Sequence, residues 1–174
     1  MNVLIAYATT EGHTEKIARF IEVVLSGEGI SAELNNVGEL SGGQSVSSFD
    51  KVIVAGSVHS AKHQADIENY VFAHRDQLNE IPVLFLSVSL AAAFEDNLQD
   101  AEEYVDTFKQ ATNWEPTQHL LAAGAIKPGE YGWFEESKLM EGALASHLTE
   151  DLQEEREFTD WDALAQAVVS FVKG

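Results

Sequence analysis

The sequence contains no cysteine, only three prolines, few basic residues and no long apolar run. Without cysteine the chain has no disulfide, no thiol nucleophile and no cysteine-ligated metal cluster. No stretch reaches the roughly 20 apolar residues of a membrane-spanning helix, so we expect no transmembrane segment. The chain starts with an apolar strand after Asn2 rather than with a basic segment, so we also expect no signal peptide. These absences favour a cytoplasmic protein.

The charge of the chain is strongly one-sided. Ten Lys and Arg residues stand against 29 Asp and Glu residues, which gives a net charge of −19. Such a surface repels nucleic acid and anionic lipid headgroups. Two interpretations remain open: adaptation to a high-salt cytoplasm, or an acidic docking face for a basic redox partner. The first is favoured because the acidic residues are dispersed along the chain.

Apolar runs typical of buried strands alternate with amphipathic helical patterns. Strands are predicted at about 3–8, 30–34, 52–56, 83–86 and 120–124. Helices are predicted after residue 14, around 67–78, from about 98 to 111, and after residue 159, where Thr159 with Asp162 is expected to cap the last helix. This alternation predicts a single α/β domain over residues 1–174, with a parallel sheet covered by helices on both faces.

The connection between the first strand and the first helix carries the strongest motif. It consists of Thr9, Thr10, Glu11, Gly12, His13 and Thr14. Hydroxyls and main-chain N–H groups at a helix N-terminus suit a phosphate monoester. The motif lacks the Gly-Lys-Ser/Thr ending of a Walker loop and the three glycines of a dinucleotide loop. The alternative is a capped turn that binds no ligand.

This motif resembles the phosphate loop of flavodoxins. The matching residues are Tyr7, Thr9, Gly12, Thr14 and Ala18, and only Ala6 departs, where a bulkier apolar residue is usual. The resemblance implies a flavodoxin-like three-layer sandwich, with a five-stranded parallel sheet in the order 2-1-3-4-5. It also implies FMN at the point where the strand order reverses.

Two further segments follow strands that end at the same edge of such a sheet. Ser57, Val58 and His59 come after the third strand, and Ser89 and Leu90 come after the fourth. Ordinary flavodoxins often stack an aromatic residue on the flavin from these loops, whereas this chain has no Trp or Tyr in either. Together with several later residues they resemble the flavodoxin-like protoporphyrinogen IX dehydrogenases of bacteria and archaea. The later residues are Ala123-Gly124-Ala125-Ile126, Tyr131, Trp133 and Thr159-Asp160-Trp161.

This narrower resemblance implies an FMN enzyme of haem biosynthesis that oxidises a porphyrinogen and passes the electrons to a quinone. The motif from Thr9 to Thr14 would hold the phosphate, and the residues at 57–59 and 89–90 would flank the flavin ring. No residue is assigned as catalytic acid or nucleophile. The alternative is a flavodoxin-type carrier between soluble redox proteins. A related NAD(P)H:quinone reductase is a third possibility, for which no nicotinamide motif is present.

The stretch 127–158 corresponds to the long insertion of that enzyme branch. Between Glu135 and Glu157 it contains eight acidic residues against Lys138 and Arg156. This acidity weakens the case for peripheral contact with an anionic membrane, although an apolar helical face between 133 and 148 is predicted. Lys62 and Lys127 are expected near the flavin edge, either to receive the propionates of a porphyrinogen or as solvated surface lysines. His59 and His63 are four residues apart but precede the helix, so no metal site is predicted.

Overall fold

A computed structural model describes residues 1–39, 45–127, 147 and 155–174 of the chain. The predictions for Tyr131, Trp133 and the apolar face between residues 133 and 148 lie outside the described residues. Most of the predicted 127–158 insertion lies outside them as well.

The main sheet is built from six strands. They are β1 (Asn2–Tyr7), β2 (Ser31–Asn36), β3 (Lys51–His59), β4 (Lys62–His63), β5 (Val83–Ser89) and β6 (Gln118–Ala123). Five of them are parallel, in the order β2-β1-β3-β5-β6, and β4 pairs antiparallel with the end of β3. Counted over the parallel strands alone, this is the predicted order 2-1-3-4-5, which is confirmed.

Helices cover both faces of this sheet. They are α1 (His13–Gly27), α2 (Ala65–Leu78), α3 (Leu98–Thr112) and α4 (Trp161–Lys173). The apolar residues form two separate clusters, one with Ile17 of α1 and Val168 of α4, the other with Ile67 of α2 and Phe108 of α3. All seven residues of β5 are buried, as expected for a strand covered on both sides. The three-layer α/β prediction is therefore confirmed.

Two strands extend further than the sequence predicts. Ser57, Val58 and His59 belong to β3, and Ser89 is the last residue of β5, so these residues are not in loops. The reason is that the parallel ladder continues, with Ser57 paired to Val88. A two-residue hairpin turn then reverses the chain into β4. Both of its central residues, Ser60 and Ala61, have positive φ angles, of 49° and 64°, as a type I′ turn requires.

A second, short antiparallel pair follows β6. Its strands are β7 (Ala125–Ile126) and β8 (Arg156–Glu157), the latter directly preceding α4. The predicted cap of α4 is wrong: the Asp160 side chain, not that of Thr159, accepts the N–H of Ala163 at 2.9 Å. The hydroxyl of Thr159 instead donates to the carbonyl of Ala123 at 2.7 Å. No helix in the described ranges is long and apolar enough to cross a membrane.

Candidate functional site

The carboxyl ends of the parallel strands meet at one edge of the sheet, where open α/β sheets bind their ligands. At this edge β1 runs into the β1–α1 loop (residues 8–12), β3 ends with Ser57 to His59, and β5 ends with Ser89. The structure therefore brings the three predicted segments to one edge. This proximity follows from the strand order, in which β3 lies between β1 and β5.

The β1–α1 loop is held in a tight turn at the start of α1. The Gly12 N–H donates to Thr9 Oγ1 at 2.9 Å, and Gly12 has a φ angle of 79°, in the left-handed region that favours glycine. The helix starts directly afterwards at His13, so the positive end of its dipole faces the loop. This arrangement attracts an anion.

In the described part of the chain, Thr14 places a buried hydroxyl without a hydrogen-bond partner at the start of α1. Its side chain is 1% exposed, and its Oγ1 has no hydrogen-bond partner among the described residues. A buried hydroxyl without a partner costs about 1–3 kcal/mol. An anion oxygen at the start of α1 would accept its proton, so the residues present fit a phosphate group.

A glutamine that the sequence analysis missed links the first two segments. The Gln64 side-chain amide donates to Thr10 Oγ1 at 2.9 Å, and its oxygen accepts the Ser57 N–H at 3.1 Å. Gln64 lies between β4 and α2, at a distance of 54 residues from Thr10 along the chain. No local sequence pattern indicates such a bridge.

A contact between a histidine and a carboxylate joins the same two segments. His59 Nδ1 lies 3.6 Å from Glu11 Oε1, and His59 Nε2 lies 3.1 Å from Ser57 Oγ. The carbonyl of Glu11 accepts a hydrogen bond from Lys127 Nζ at 2.7 Å. Lys127 is thus attached to the β1–α1 loop, whereas Lys62 lies opposite His59 in the hairpin and is exposed.

The His13 ring is directed toward the segment before α4, where Nδ1 lies 3.8 Å from Glu157 Oε2. Its Nε2 lies 2.8 Å from Thr159 Oγ1. The Thr159 hydroxyl donates its own proton to the Ala123 carbonyl, so it can only accept from His13. His13 Nε2 is therefore the protonated ring nitrogen and donates to Thr159 Oγ1. Burial lowers the pKa of His13, an effect that nearby Glu157 partly opposes. The ring is therefore a neutral brace between α1 and β6.

The third segment is more enclosed. Ser89 is buried, and its Oγ accepts the N–H of Ala92 at 3.2 Å, while Leu90 and Val58 are partly buried. Just beyond lies Phe94, an aromatic residue that the sequence analysis missed. Its ring stacks on the His147 ring, with 4.1 Å between the two ring centroids. Both residues line an open crevice of about 520 Å³. The sequence does show an aromatic residue at position 94, but Phe94 comes after the loop that was predicted to follow the fourth parallel strand.

The two histidines four residues apart do not converge on a common point. The His63 ring is buried against Phe85 and Phe108, with Nε2 at 3.0 Å from Ser87 Oγ. Burial lowers the pKa of His63 to about 4, so it is neutral at pH 7. Within the described part of the chain, no group of three or more His, Asp or Glu residues could hold a metal ion.

The strand order and the loop between β1 and the start of α1 define a flavodoxin-like α/β protein. A family model for the flavodoxin domain matches residues 4–165, and the chain belongs to this family. The fold is also that of oxidised flavodoxin 1 from Bacillus cereus, with a TM-score of 0.55, 13% identity, and coverage of 99% of this chain and 98% of that one. An NADH:FMN oxidoreductase in its apo form gives a TM-score of 0.56 at 12% identity, over 98% of this chain and 87% of that one.

Two curated relatives are similar over nearly the whole chain. The protoporphyrinogen IX dehydrogenase [quinone] of Escherichia coli K12 is 27% identical over 166 residues, 95% of this chain and 91% of that protein. The protein of the same name from Leishmania major is 27% identical over 171 residues, 97% of this chain and 73% of that protein. The family supports a flavin cofactor, and these relatives support an oxidoreductase.

Proposed function

We propose that this chain is an FMN-dependent dehydrogenase that oxidises protoporphyrinogen IX in haem biosynthesis and passes the electrons to a quinone. The observation that carries the proposal is the buried, unpaired hydroxyl of Thr14 at the start of α1, which needs an acceptor such as a phosphate oxygen. The substrate is supported by the two named relatives, whose similarity extends over at least 95% of this chain.

In this proposal the phosphate of FMN lies against the β1–α1 loop. Thr14 would donate its hydroxyl proton to a phosphate oxygen, and the main-chain N–H groups of Thr10, Glu11, His13 and Thr14 would bind the same anion. The Gly12 N–H is already used, because it donates to Thr9 Oγ1 and holds the turn. The flavin ring would lie between Val58 and His59 on one side and Ser89 and Leu90 on the other. FMN supplies the redox chemistry, while these residues bind it and exclude water.

In this proposal the protein is cytoplasmic, and the cell has a high internal salt concentration. The quinone is met either in solution or at a membrane surface. A net charge of −19 supports the salt adaptation. The same charge favours one second candidate, an electron carrier that docks on a basic redox protein. The carrier needs the same FMN site, so the two candidates differ in their electron donor.

Anaerobic reduction separates these candidates. Purified, FMN-loaded protein is mixed with protoporphyrinogen IX, the flavin absorbance is followed, and menadione is then added. Bleaching of the flavin followed by its return on addition of the quinone supports the dehydrogenase. If the porphyrinogen leaves the flavin oxidised while a reductive titration yields a stable one-electron-reduced form, the dehydrogenase proposal fails and the carrier is favoured.

A further inference from the structure

Ser57, His59 and Glu11 form a short chain of polar groups at the ligand-binding edge of the sheet. His59 Nε2 lies 3.1 Å from the Ser57 hydroxyl oxygen, and Nδ1 lies 3.6 Å from a Glu11 carboxylate oxygen. The His59 side chain is 25% exposed, whereas that of Glu11 is only 10% exposed. The imidazole therefore has Nδ1 on an enclosed carboxylate and Nε2 on the Ser57 hydroxyl, while part of the side chain is exposed.

The geometry favours one tautomer of neutral His59. With a carboxylate facing Nδ1, the proton belongs on Nδ1, and Nε2 then accepts the hydroxyl proton of Ser57. The Glu11 carboxylate thus fixes the orientation of the ring and leaves Nε2 as its basic atom. A base positioned in this way is suited to take up and release a proton.

Two lysines lie near His59 in the described part of the chain. Lys62 lies opposite it in the β3–β4 hairpin, and Lys127 reaches the main-chain carbonyl of Glu11. Gln64, which is neutral, fixes Ser57 through its N–H. Glu11 is thus the only acidic group paired with His59 among the described residues.

We propose that His59 is the proton carrier of this site, positioned by Glu11 and reached through the Ser57 hydroxyl. The inference rests on the proposed function. In each two-electron step the porphyrinogen would lose a hydride equivalent, for which bound FMN would supply the acceptor, and a proton, which the Ser57 hydroxyl would pass to His59 Nε2. His59 would return this proton by the same route to the quinone, which takes up the two electrons and leaves as the quinol.

The quinone half-reaction tests this role without any porphyrinogen. FMN-loaded protein is photoreduced anaerobically and mixed with menadione in a stopped-flow instrument between pH 5.5 and 8.5. In the wild type the reoxidation rate should fall as the pH rises, because the carrier must hold a proton before it can deliver one to the quinone. His59→Gln should be about 100-fold slower at pH 5.5, with no such pH dependence, because general acid catalysis contributes about 10²–10⁴-fold. Glu11→Gln should slow the reaction by a smaller factor, since the proton carrier remains.

His119→Gln is the matched control. His119 also lies on a strand and pairs with a carboxylate, Glu102, at 2.9 Å, but it is near the opposite end of the sheet, at the start of β6. The His119→Gln variant should show the reoxidation rate and the pH dependence of the wild type. His59→Ala offers a second test, because added imidazole should restore its rate if the missing group is a proton carrier. Fluorescence titration of FMN binding in each variant identifies any loss of cofactor, and rates are compared at saturating FMN.

The outcomes separate the two proposals. If His59→Gln keeps the wild-type rate and pH profile, or if imidazole does not restore His59→Ala, the proton-carrier role is wrong, whatever the substrate is. If porphyrinogen fails to reduce the wild-type flavin while the quinone step depends on His59 as described, the substrate is wrong and the role in quinone reduction stands.

Discussion

Replacing Thr14 by valine should change the stability of the protein and its affinity for FMN in opposite directions. Valine has nearly the same shape as threonine and a similar helix propensity, so the substitution removes only the hydroxyl. That hydroxyl is buried without a partner in the described structure. Because an unsatisfied buried polar group costs about 1–3 kcal/mol, the ligand-free variant should be more stable than the wild type by roughly 1–2 kcal/mol.

With FMN present the same hydroxyl would donate to a charged phosphate oxygen. Hydrogen bonds to charged groups contribute about 1.5–3 kcal/mol, so the Kd for FMN should rise about 10- to 100-fold in Thr14→Val. Urea unfolding of the ligand-free protein and fluorescence titration with FMN measure the two effects separately. Thr14→Ser, which keeps the hydroxyl, should retain most of the affinity.

A second buried threonine provides the control. Thr112 is fully buried at the end of α3, but its hydroxyl donates to the Phe108 carbonyl at 2.8 Å. Thr112→Val should therefore destabilise the protein by about 0.5–1.5 kcal/mol and leave the Kd for FMN unchanged. A Thr14→Val variant that is less stable than the wild type and binds FMN equally well would refute the assignment of Thr14 to the phosphate.

Three further predictions concern pH, salt and the two lysines. His63 has a pKa of about 4 in the folded chain, against 6.5 for an ordinary histidine. Below pH 6.5 the unfolded chain therefore binds a proton that the folded chain does not, and this difference should lower the free energy of unfolding by roughly 3 kcal/mol from pH 6.5 to pH 4. Urea titrations should show this component in the wild type but not in His63→Leu, and its persistence in the variant would contradict the assignment. Because the net charge is −19, the unfolding free energy should increase from low salt to molar KCl; equal values would exclude salt adaptation. Lys62→Gln should raise the porphyrinogen KM about two- to fivefold without changing the FMN Kd. Lys127→Gln should raise both quantities, because the Lys127 ammonium donates to the Glu11 carbonyl in the β1–α1 loop. An unchanged KM in Lys62→Gln would reject its contact with the propionates.

The sequence was sufficient for the positions of the parallel strands and for the location of the loop after β1. Both depend on strong local signals: apolar runs for strands buried on both faces, and hydroxyl residues before an amphipathic helix. The order of the strands was implied by the resemblance of that loop to flavodoxins. The unpaired state of Thr14 could not be predicted in this way. It depends on which atoms of distant segments approach its hydroxyl, and no spacing rule contains that information.

The β3–β4 hairpin was missed because its turn lacks the usual residues. Type I′ turns favour Asn-Gly or Asp-Gly, whereas Ser60 and Ala61 occupy the positive-φ positions here. The cap of α4 was misassigned by one residue for a different reason. Thr159 and Asp160 are both good capping residues, and the choice is made by the Ala123 carbonyl, which engages the hydroxyl of Thr159. Tertiary contacts of this kind decide between local alternatives of similar energy.

The pairing of β7 with β8 has a consequence for how this protein can vary. Ile126 lies opposite Arg156 in register, and Phe158 N–H donates to the Gly124 carbonyl at 3.0 Å. The chain thus leaves the main sheet and returns to it at neighbouring points, and the closure entropy of the intervening stretch grows only slowly with its length. We therefore expect the main sheet to tolerate changes in the length of the sequence between β7 and β8, as long as the pairing of these two strands is kept.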